Sequence, residues 1–290
     1  MNRMTHLKQA LPYIQKHTGS TFVIKLGGRI LSDDEALYSL AEDISLLHNV
    51  GIHLVLVHGG GPQMNQLADE MGIKQNIING RRVTDAATLN LAQMVFRGSL
   101  NSRLISVLKQ AGTQAVGLSG LDGGLIEAIK RPKVKGIDYG FVGDITQVNT
   151  QVINSLVQGG FIPVVCSLGA TVDGQVLNIN ADTIAEHIAI KLQAKKLFLL
   201  TDQTGLYADP DDQESLISYT DISEVQKCIE HGSIKGGMKP KIESTLRALE
   251  QGVERVHIIN AFEPSSLLSE VFTNEGCGTL IVKDKHLFDF

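Results

Sequence analysis

The sequence predicts an α/β fold in which an open, mainly parallel sheet lies between helices in an αβα sandwich. Short apolar runs rich in Val, Ile and Leu recur along the chain. They lack a clean alternation of polar and apolar residues, which is typical of strands covered on both faces. Stretches with helical spacing separate these runs, and several end in glycine, a common helix stop. Strands that alternate with helices in this way favour a parallel sheet.

The predicted elements follow one another in a regular order. The predicted strands are 21–28 (TFVIKLGG), 52–61 (IHLVLVHGGG), 114–120 (QAVGLSG), 161–169 (FIPVVCSLG), 196–202 (KLFLLTD) and 255–260 (RVHIIN). The predicted helices between them are 35–51, 85–112, 146–160 and 182–194.

Two segments depart from this pattern. Residues 121–149 are polar and basic, and they indicate a hairpin-bearing excursion rather than a core element. Residues 207–241 contain Asp/Pro turn signals and form a second excursion. No Pro-, Gly- or Ser-rich linker separates the lobes, so we predict two lobes on one continuous sheet. The predicted divisions are an N-terminal helix at 1–20, an N-terminal lobe at 21–175 and a C-terminal lobe at 176–290.

Composition excludes several classes of function. The chain has 290 residues, of which 43% are hydrophobic, so it can bury a sizeable core. Its formal net charge is −5 with no single-sign block, which argues against a nucleic-acid partner. The three cysteines form no CxxC pair, which argues against a disulfide framework or a zinc site. No apolar stretch is long enough to span a membrane, and we expect a cytoplasmic protein.

Two glycine clusters follow predicted strands directly. Residues 25–28 (KLGG) end the first strand, residues 58–62 (HGGGP) end the second, and helical patterns follow both. Ligands of parallel sheets bind beyond the carboxyl ends of the strands, where glycine lets backbone N–H groups approach an anion. A tight turn would explain one such cluster, whereas two on neighbouring strands favour a phosphate site. Neither cluster matches the Walker A or Rossmann pattern.

Lysines next to glycine pairs are candidates for phosphoryl chemistry. Transfer of a γ-phosphoryl group needs positive charge and N–H donors around the moving oxygens, and it needs little covalent help. Lys25 precedes one glycine pair, and Lys241 follows another at 236–237. A solvated role remains the alternative for each lysine.

Two polar segments are further candidates, each with a structural alternative. In residues 177–183 (LNINADT), Asn178 is a candidate for binding the substrate and Asp182 for positioning the lysines. The structural alternative is that Asn180 or Asp182 simply caps a helix. In residues 80–85 (GRRVTD), an arginine suits bidentate binding of a carboxylate, and Thr84 or Asp85 could cap the next helix.

Six motifs stand in a fixed order along the chain, namely VIKLGG, LVHGGGPQMN, GRRVTDAATLNLAQMV, LNINADT, LLTDQTGLYAD and GGMKPK. In this order and spacing the chain resembles the amino acid kinase family over residues 5–283. The resemblance implies an eight-stranded, mainly parallel sheet, with an acyl amino acid bound in the N-terminal lobe and ATP in the C-terminal lobe. It also implies phosphorylation of the γ-carboxylate of N-acetyl-L-glutamate, the second step of arginine biosynthesis, which gives an acyl phosphate and ADP.

The resemblance also implies roles for the residues at matching positions. Lys25 and Lys241 match the two lysines that stabilise the transferring phosphoryl group, and Asp182 matches the aspartate that organises them. Arg82 matches the arginine that grips the α-carboxylate of the substrate. The positions that match substrate-binding residues are Gly60, Gly61, Arg82 and Asn178. The positions that match phosphoryl- and ATP-binding residues are Gly27, Gly28, Thr201, Asp202, Gly205, Gly236, Gly237 and Met238, and Gly60 shares the role of phosphoryl donor with Gly28. Mg²⁺ in this family is held mainly by the ATP phosphates, so no protein ligand is assigned to it.

Residues 5–20 (THLKQALPYIQKHTGS) have helical spacing at Leu7, Leu11 and Ile14, and a core helix is one interpretation. The segment also resembles the N-terminal helix of arginine-inhibited family members, which joins homodimers into a homohexamer. L-Arginine then becomes a candidate feedback inhibitor, with contacts at Tyr13, His257, Glu275 and Gly278. The sequence departs from the family pattern after HII and at Arg81, which weakens the inference on arginine.

Alternatives remain open at this point. A kinase for N-acetylaminoadipate or N-succinylglutamate differs by one methylene or a larger acyl group, which a pocket distinguishes by only about 1 to 3 kcal/mol. The segment TGLYADP also resembles glutamate 5-kinase and aspartokinase, although HGGGPQMN and GRRVTD favour the acetylglutamate branch. A non-catalytic arginine sensor is the alternative from another class.

Overall fold

A computed structural model describes residues 3–78, 81–209, 211–234 and 238–287. Its strands, in chain order, are β1 (Thr21–Leu26), β2 (His53–His58), β3 (Asn76–Ile78), β4 (Arg81–Val83), β5 (Ala115–Leu118), β6 (Ile126–Lys130), β7 (Gly143–Val148), β8 (Ile162–Cys166), β9 (Leu168–Ala170), β10 (Val176–Asn178), β11 (Lys196–Thr201), β12 (Leu206–Tyr207), β13 (Leu216–Ile217), β14 (Tyr219–Asp221), β15 (Arg255–Asn260) and β16 (Thr279–Val282).

The helices fill the intervals between the strands. They are α1 (Arg3–His17), α2 (Asp34–Asn49), α3 (Gly61–Glu70), α4 (Ala86–Ala92), α5 (Asn101–Gln110), α6 (Gln151–Gln158), α7 (Ala181–Lys191), α8 (Ile222–Glu230), α9 (Met238–Glu250) and α10 (Ser266–Phe272). A π-helical segment, Gln93–Leu100, joins α4 to α5, so the single helix predicted at 85–112 is continuous from Ala86 to Gln110 but changes its hydrogen-bond spacing. None of the helices in the described part of the chain is long and apolar enough to cross a membrane.

An eight-stranded sheet forms the centre of the fold, which confirms the predicted architecture. Its strand order is β14-β16-β15-β11-β1-β2-β8-β5. The neighbouring strands are parallel except for β15 and β16, which are antiparallel. All six predicted strands lie in this sheet. The sequence did not predict its two short strands at one edge, β14 and β16.

Both faces of the sheet are buried, and successive residues of each central strand serve opposite faces. In β1, Phe22, Ile24 and Leu26 belong to one core cluster, whereas Val23 belongs to the other. Strands β2 and β11 divide their residues in the same way. Because side chains alternate along a strand, continuous apolar runs are required when helices cover both faces. The next residue on the Val23 face is Lys25, so this lysine points to the side on which α7 packs.

Two predictions about the middle of the chain need correction. Residues 121–149 do form an antiparallel hairpin, β6 and β7, but Leu125, Ile126 and Val148 are buried in the core, so the segment is not a mere excursion. The helix predicted at 146–160 starts only at α6, because residues 146–148 complete β7. The hairpin joins β9 and β10 in a second, four-stranded sheet.

Candidate active site

The two glycine clusters lie side by side at the carboxyl ends of β1 and β2, which pair in parallel register. A side chain at Gly28 would place its Cβ 2.7 Å from Cδ of Pro62, so the two loops touch. A side chain at Gly60 would place its Cβ 2.3 Å from Cδ1 of Leu100 and 3.0 Å from the ring of Phe96, so these side chains would have to move. Glycine at both positions lets the loops pack this closely, and backbone lines this part of the sheet edge.

Two lysines from different elements meet at one carboxylate. Oδ1 of Asp182 lies 2.9 Å from Nζ of Lys25 and 3.2 Å from Nζ of Lys241. Lys25 lies on β1, Asp182 in the first turn of α7, and Lys241 in the first turn of α9. Both lysines are largely buried, with 8% and 7% of their surface exposed. Two positive charges are thus held close together by one negative charge.

The charges of this cluster are strongly coupled. Burial alone would raise the pKa of Asp182, but the ammonium groups of Lys25 and Lys241 outweigh burial and hold that pKa well below its usual range. Burial and the charge of Lys25 lower the pKa of Lys241 to about 8, against the opposing effect of Asp182. The cluster carries a net positive charge when both lysines are protonated, which favours an anionic ligand.

A hydrogen-bonded cap fixes the start of α7 and therefore the position of Asp182. Oδ1 of Asn180 accepts hydrogen bonds from the backbone N–H groups of Asp182 and Thr183, at 2.7 and 3.4 Å. The cap residue is thus Asn180, and the Asp182 carboxylate is left to bind the lysines. Asp85 caps α4 in the same manner, through the N–H of Thr88.

A cleft of about 450 Å³ contains two of the predicted substrate-binding residues, Arg82 and Asn178. The guanidinium of Arg82 donates to the side-chain oxygens of Gln75 and Asn65. Nδ2 of Asn178 donates to Oγ1 of Thr84 at 3.1 Å. The sequence did not identify several other residues of this cleft. They come from the hairpin and from α7 and α9, which only the fold brings next to Arg82. They are Arg131, Asp144, Thr183, His187, Glu243, Ser244 and Arg247.

A second cleft, of about 400 Å³, contains three of the predicted nucleotide-binding residues, Asp202, Gly205 and Met238. Asp202 also forms an ion pair with Arg29 of the loop after β1, which the sequence did not indicate. The other lining residues are Gln203, Thr204, Leu206, Tyr207, Gln213, Ser233 and Ile234. Gly236 and Gly237 lie outside the described residues.

Two of the predicted nucleotide-binding residues, Gly27 and Thr201, form hydrogen bonds within the protein and do not line the second cleft. The amide of Gly27 donates to the carbonyl of Leu200 at 3.2 Å, so this N–H continues the sheet and is not free for phosphate. The hydroxyl of Thr201 donates to the neighbouring Asp202 at 3.1 Å, and its carbonyl accepts from Ala261. Thr201 does not line the second cleft.

A third, smaller cavity of about 120 Å³ brings together the four residues predicted to contact arginine, Tyr13, His257, Glu275 and Gly278. The hydroxyl of Tyr13 donates to Oδ1 of Asn274 at 2.6 Å, which ties α1 to the loop before β16. Nδ1 of His257 lies 2.8 Å from a carboxylate oxygen of Glu270.

Among the histidine, cysteine and acidic side chains of the described ranges, no three lie in an arrangement that could hold a metal ion.

Comparison with known proteins identifies relatives over nearly the whole chain. Residues 20–260 match the model of the amino acid kinase family. The chain is 42% identical to the acetylglutamate kinase of Halothermothrix orenii over 98% of its own length and 99% of that protein. It is 46% identical to the acetylglutamate kinase of Symbiobacterium thermophilum over 98% of each chain.

Among solved structures, the N-acetylglutamate synthase of Neisseria gonorrhoeae complexed with coenzyme A and N-acetyl-glutamate has a TM-score of 0.87 at 33% identity. The match covers 98% of this chain and 64% of the synthase chain. The same synthase complexed with coenzyme A and L-arginine has a TM-score of 0.85. With the family model matched over most of the sequence and relatives of more than 40% identity along its whole length, the chain belongs to the amino acid kinase family.

Proposed function

We propose that this protein transfers the γ-phosphoryl group of ATP to the γ-carboxylate of N-acetyl-L-glutamate, a step of arginine biosynthesis. The observation that carries this proposal is the convergence of Lys25 and Lys241 on Asp182 beside two glycine loops. The relatives named acetylglutamate kinase, which match over the full chain, support the substrate.

The chemistry follows from the charges of the site. An oxygen of the γ-carboxylate attacks the γ-phosphorus in line, the bond from that phosphorus to the β-phosphate oxygen breaks, and ADP leaves. Negative charge on both reactants opposes their approach, and the two ammonium groups reduce this repulsion. Asp182 keeps the ammonium groups together before substrate arrives. The N–H groups of Gly28 and Gly60 are the proposed backbone donors to the phosphoryl oxygens.

The first two clefts described above suit the two substrates. In the cleft of Arg82 and Asn178, the remaining N–H donors of the guanidinium and the amide are the proposed partners of the α-carboxylate and the acetamido group. The cleft of Asp202, Gly205 and Met238 lies in the C-terminal part of the chain and is the proposed nucleotide site. We assign residues 21–175 mainly to the acyl amino acid and 176–290 mainly to ATP. Mg²⁺ is proposed to arrive on the ATP phosphates, whose charge it neutralises.

A substrate panel tests the proposal. Initial rates of ADP release are measured with N-acetyl-L-glutamate, N-acetyl-L-aminoadipate, N-succinyl-L-glutamate and free L-glutamate. We expect kcat/KM to be highest for N-acetyl-L-glutamate, by about 10-fold or more over the aminoadipate homologue, because one methylene is worth roughly 1 to 3 kcal/mol in a pocket. Preference for another compound would reassign the substrate, and no turnover with any of them would favour the non-catalytic sensor.

L-Arginine is the proposed inhibitor, bound in the cavity of Tyr13 and His257. Burial lowers the pKa of His257 to about 4, so its ring is neutral, and Nε2 of this ring has no partner among the described residues. A guanidinium or ammonium group would supply the missing donor, and Glu275 adds a negative charge to the cavity wall. The synthase complexed with L-arginine has the same fold, which supports the proposal.

Arginine titration tests this regulation together with the proposed homohexamer. The rate is followed with L-arginine and, as a control, D-arginine, and the oligomeric state is followed by sedimentation. We expect inhibition by the L-enantiomer only, a hexamer in the wild type, and a dimer insensitive to arginine when residues 1–17 are deleted. An uninhibited wild-type dimer would contradict both proposals. The cytoplasmic location expected from the sequence stays a prediction.

A further inference from the structure

His58 is a buried histidine directly behind the second glycine loop, and no role has been assigned to it so far. It is the last residue of β2, and its surface is fully buried. Nδ1 of its ring lies 2.9 Å from the carbonyl oxygen of Gly59. Because a carbonyl oxygen can only accept a hydrogen bond, Nδ1 must carry the proton and donate it.

The opposite side of the ring has a partner that fits this tautomer. Nδ2 of Asn101 lies 3.3 Å from Nε2 of His58 and also donates to the carbonyl of Val164 at 3.0 Å. The carbonyl fixes which end of the Asn101 side chain is the NH₂ group, so Nε2 of His58 faces a donor and must accept. Asn101 is buried, and Gly117 leaves the space for its side chain.

The hydrogen bond from the ring determines the orientation of a peptide plane in the loop. In a trans peptide, the carbonyl of one residue and the N–H of the next point in opposite directions. With the carbonyl of Gly59 turned back to the buried imidazole, the N–H of Gly60 points away from the ring. The preceding peptide is held in the same way, because the hydroxyl of Ser167 donates to the carbonyl of His58 at 2.7 Å.

We propose that His58 is a positioning residue for phosphoryl transfer, which acts through the Gly59–Gly60 peptide by aiming the N–H of Gly60 at the phosphoryl group. This inference rests on the proposed function, since it assumes that Gly60 is a backbone donor in that reaction. Preorganised donors are effective because they need no reorientation as charge develops in the transition state.

The ring stays neutral under working conditions, which keeps the arrangement intact. Burial lowers the pKa of His58 to about 4, although the bond to the Gly59 carbonyl opposes this shift. A protonated ring would present a second N–H to the NH₂ group of Asn101, which cannot accept it. The network therefore selects one tautomer of the neutral imidazole.

The first test is spectroscopic and needs no activity. Nitrogen-15 chemical shifts of the His58 ring report which nitrogen is protonated. We expect a protonated Nδ1 and an unprotonated Nε2 at neutral pH, the reverse of the tautomer preferred by free histidine. In Asn101→Leu, the carbonyl of Gly59 remains as the acceptor for Nδ1, so we expect the same tautomer to persist. A wild-type ring protonated at Nε2 would overturn the inference.

The second test compares two substitutions of similar size. His58→Asn keeps a nitrogen donor at the position of Nδ1, whereas His58→Leu keeps the bulk without any donor. We expect kcat to fall on the order of 10²-fold in the leucine variant and by less than about fivefold in the asparagine variant, with KM for both substrates little changed. Thermal unfolding of both variants shows whether they are folded to the same extent.

The outcomes separate this inference from the proposed function. Equal losses of kcat in the two folded variants would mean that His58 only fills space, and the positioning role would be rejected. If the wild type does not phosphorylate N-acetyl-L-glutamate at all, the proposed function fails, whereas the tautomer measurement still reports on the geometry of the loop.

Discussion

At the scale of single residues, the site depends on one carboxylate shared by two ammonium groups. Asp182 contacts both Lys25 and Lys241, so one negative charge faces two positive charges. A pair of matched charges would be electrically neutral and would offer little to an anionic ligand. The excess positive charge is therefore the feature that suits a triphosphate, and the two lysines are the residues on which activity should depend most.

Replacing Lys25 tests this dependence. We expect Lys25→Ala to lower kcat about 10³-fold, because one of the charges that stabilise the transferring group is lost. Lys109→Ala, which removes an exposed lysine from α5, serves as the matched control and should leave the rate unchanged. Thermal unfolding of both variants checks that the fold is retained. Full activity of a folded Lys25→Ala variant would exclude this lysine from the mechanism.

The protonation state of Lys241 gives a prediction for pH. Because burial and the charge of Lys25 lower its pKa to about 8, the ammonium form is present below that pH and is lost as the pH rises through it. The ratio kcat/KM for ATP reports groups of the free enzyme. We expect this ratio to decline above about pH 8, approaching tenfold per pH unit.

Lys241→Arg is the control for the pH profile, because a guanidinium stays charged throughout the alkaline range. Any activity that this variant retains should show no decline near pH 8. A wild-type profile that stays level well above this pH would contradict the assignment of the charge to Lys241.

At the scale of secondary-structure elements, caps and loops place the site. The side chain of Asn180 accepts two backbone N–H groups in the first turn of α7, where Asp182 lies. We expect Asn180→Ala to lower the free energy of unfolding by about 1 kcal/mol, as measured by urea denaturation, whereas Asn180→Asp should retain most of the cap. Equal stability of the alanine variant and the wild type would show that α7 is held by packing alone.

Sequence patterns predicted those elements whose signal is local. Apolar runs gave six of the eight strands of the sheet, and glycine after a strand gave the two loops. The patterns missed β14 and β16 at one edge of the sheet, which are three and four residues long. They also placed residues 146–148 in a helix that continues into Gln151. The apolar residue Val148 fits the spacing of such a helix as well as it fits the end of a strand.

The site was predictable only in part, because most of its contacts join segments that are distant in the sequence. The positions of Lys25, Asp182 and Lys241 followed from motif resemblance, but their convergence depends on three elements far apart in the chain. The ion pair of Arg29 with Asp202 and the contact of His58 with Asn101 also join distant segments, and no local pattern reports them. Hydrogen bonds that already occupy a group, as at Gly27, are likewise visible only in the folded structure.

At the scale of the whole molecule, the sheet brings the two halves of the chain together at β1 and β11, which pair in its middle. The strands on one side of this pair come mostly from the N-terminal half, and those on the other side come from the C-terminal half. The lysine cluster lies at this junction because β1 supplies Lys25 while α7 and α9 supply its partners. The proposed assignment of the acceptor to one half and the nucleotide to the other would let the two substrates meet at this cluster.

The transfer of oxygen from substrate to phosphate tests the central claim most directly. N-Acetyl-L-glutamate labelled with ¹⁸O in its γ-carboxylate is incubated with the protein and unlabelled ATP, and the acyl phosphate is then cleaved at its carbonyl carbon with hydroxylamine. If the carboxylate attacks the γ-phosphorus, the phosphate released by hydroxylamine carries one ¹⁸O atom from the substrate. Phosphate without this label, or ADP formed without any hydroxamate, would contradict phosphoryl transfer to the γ-carboxylate.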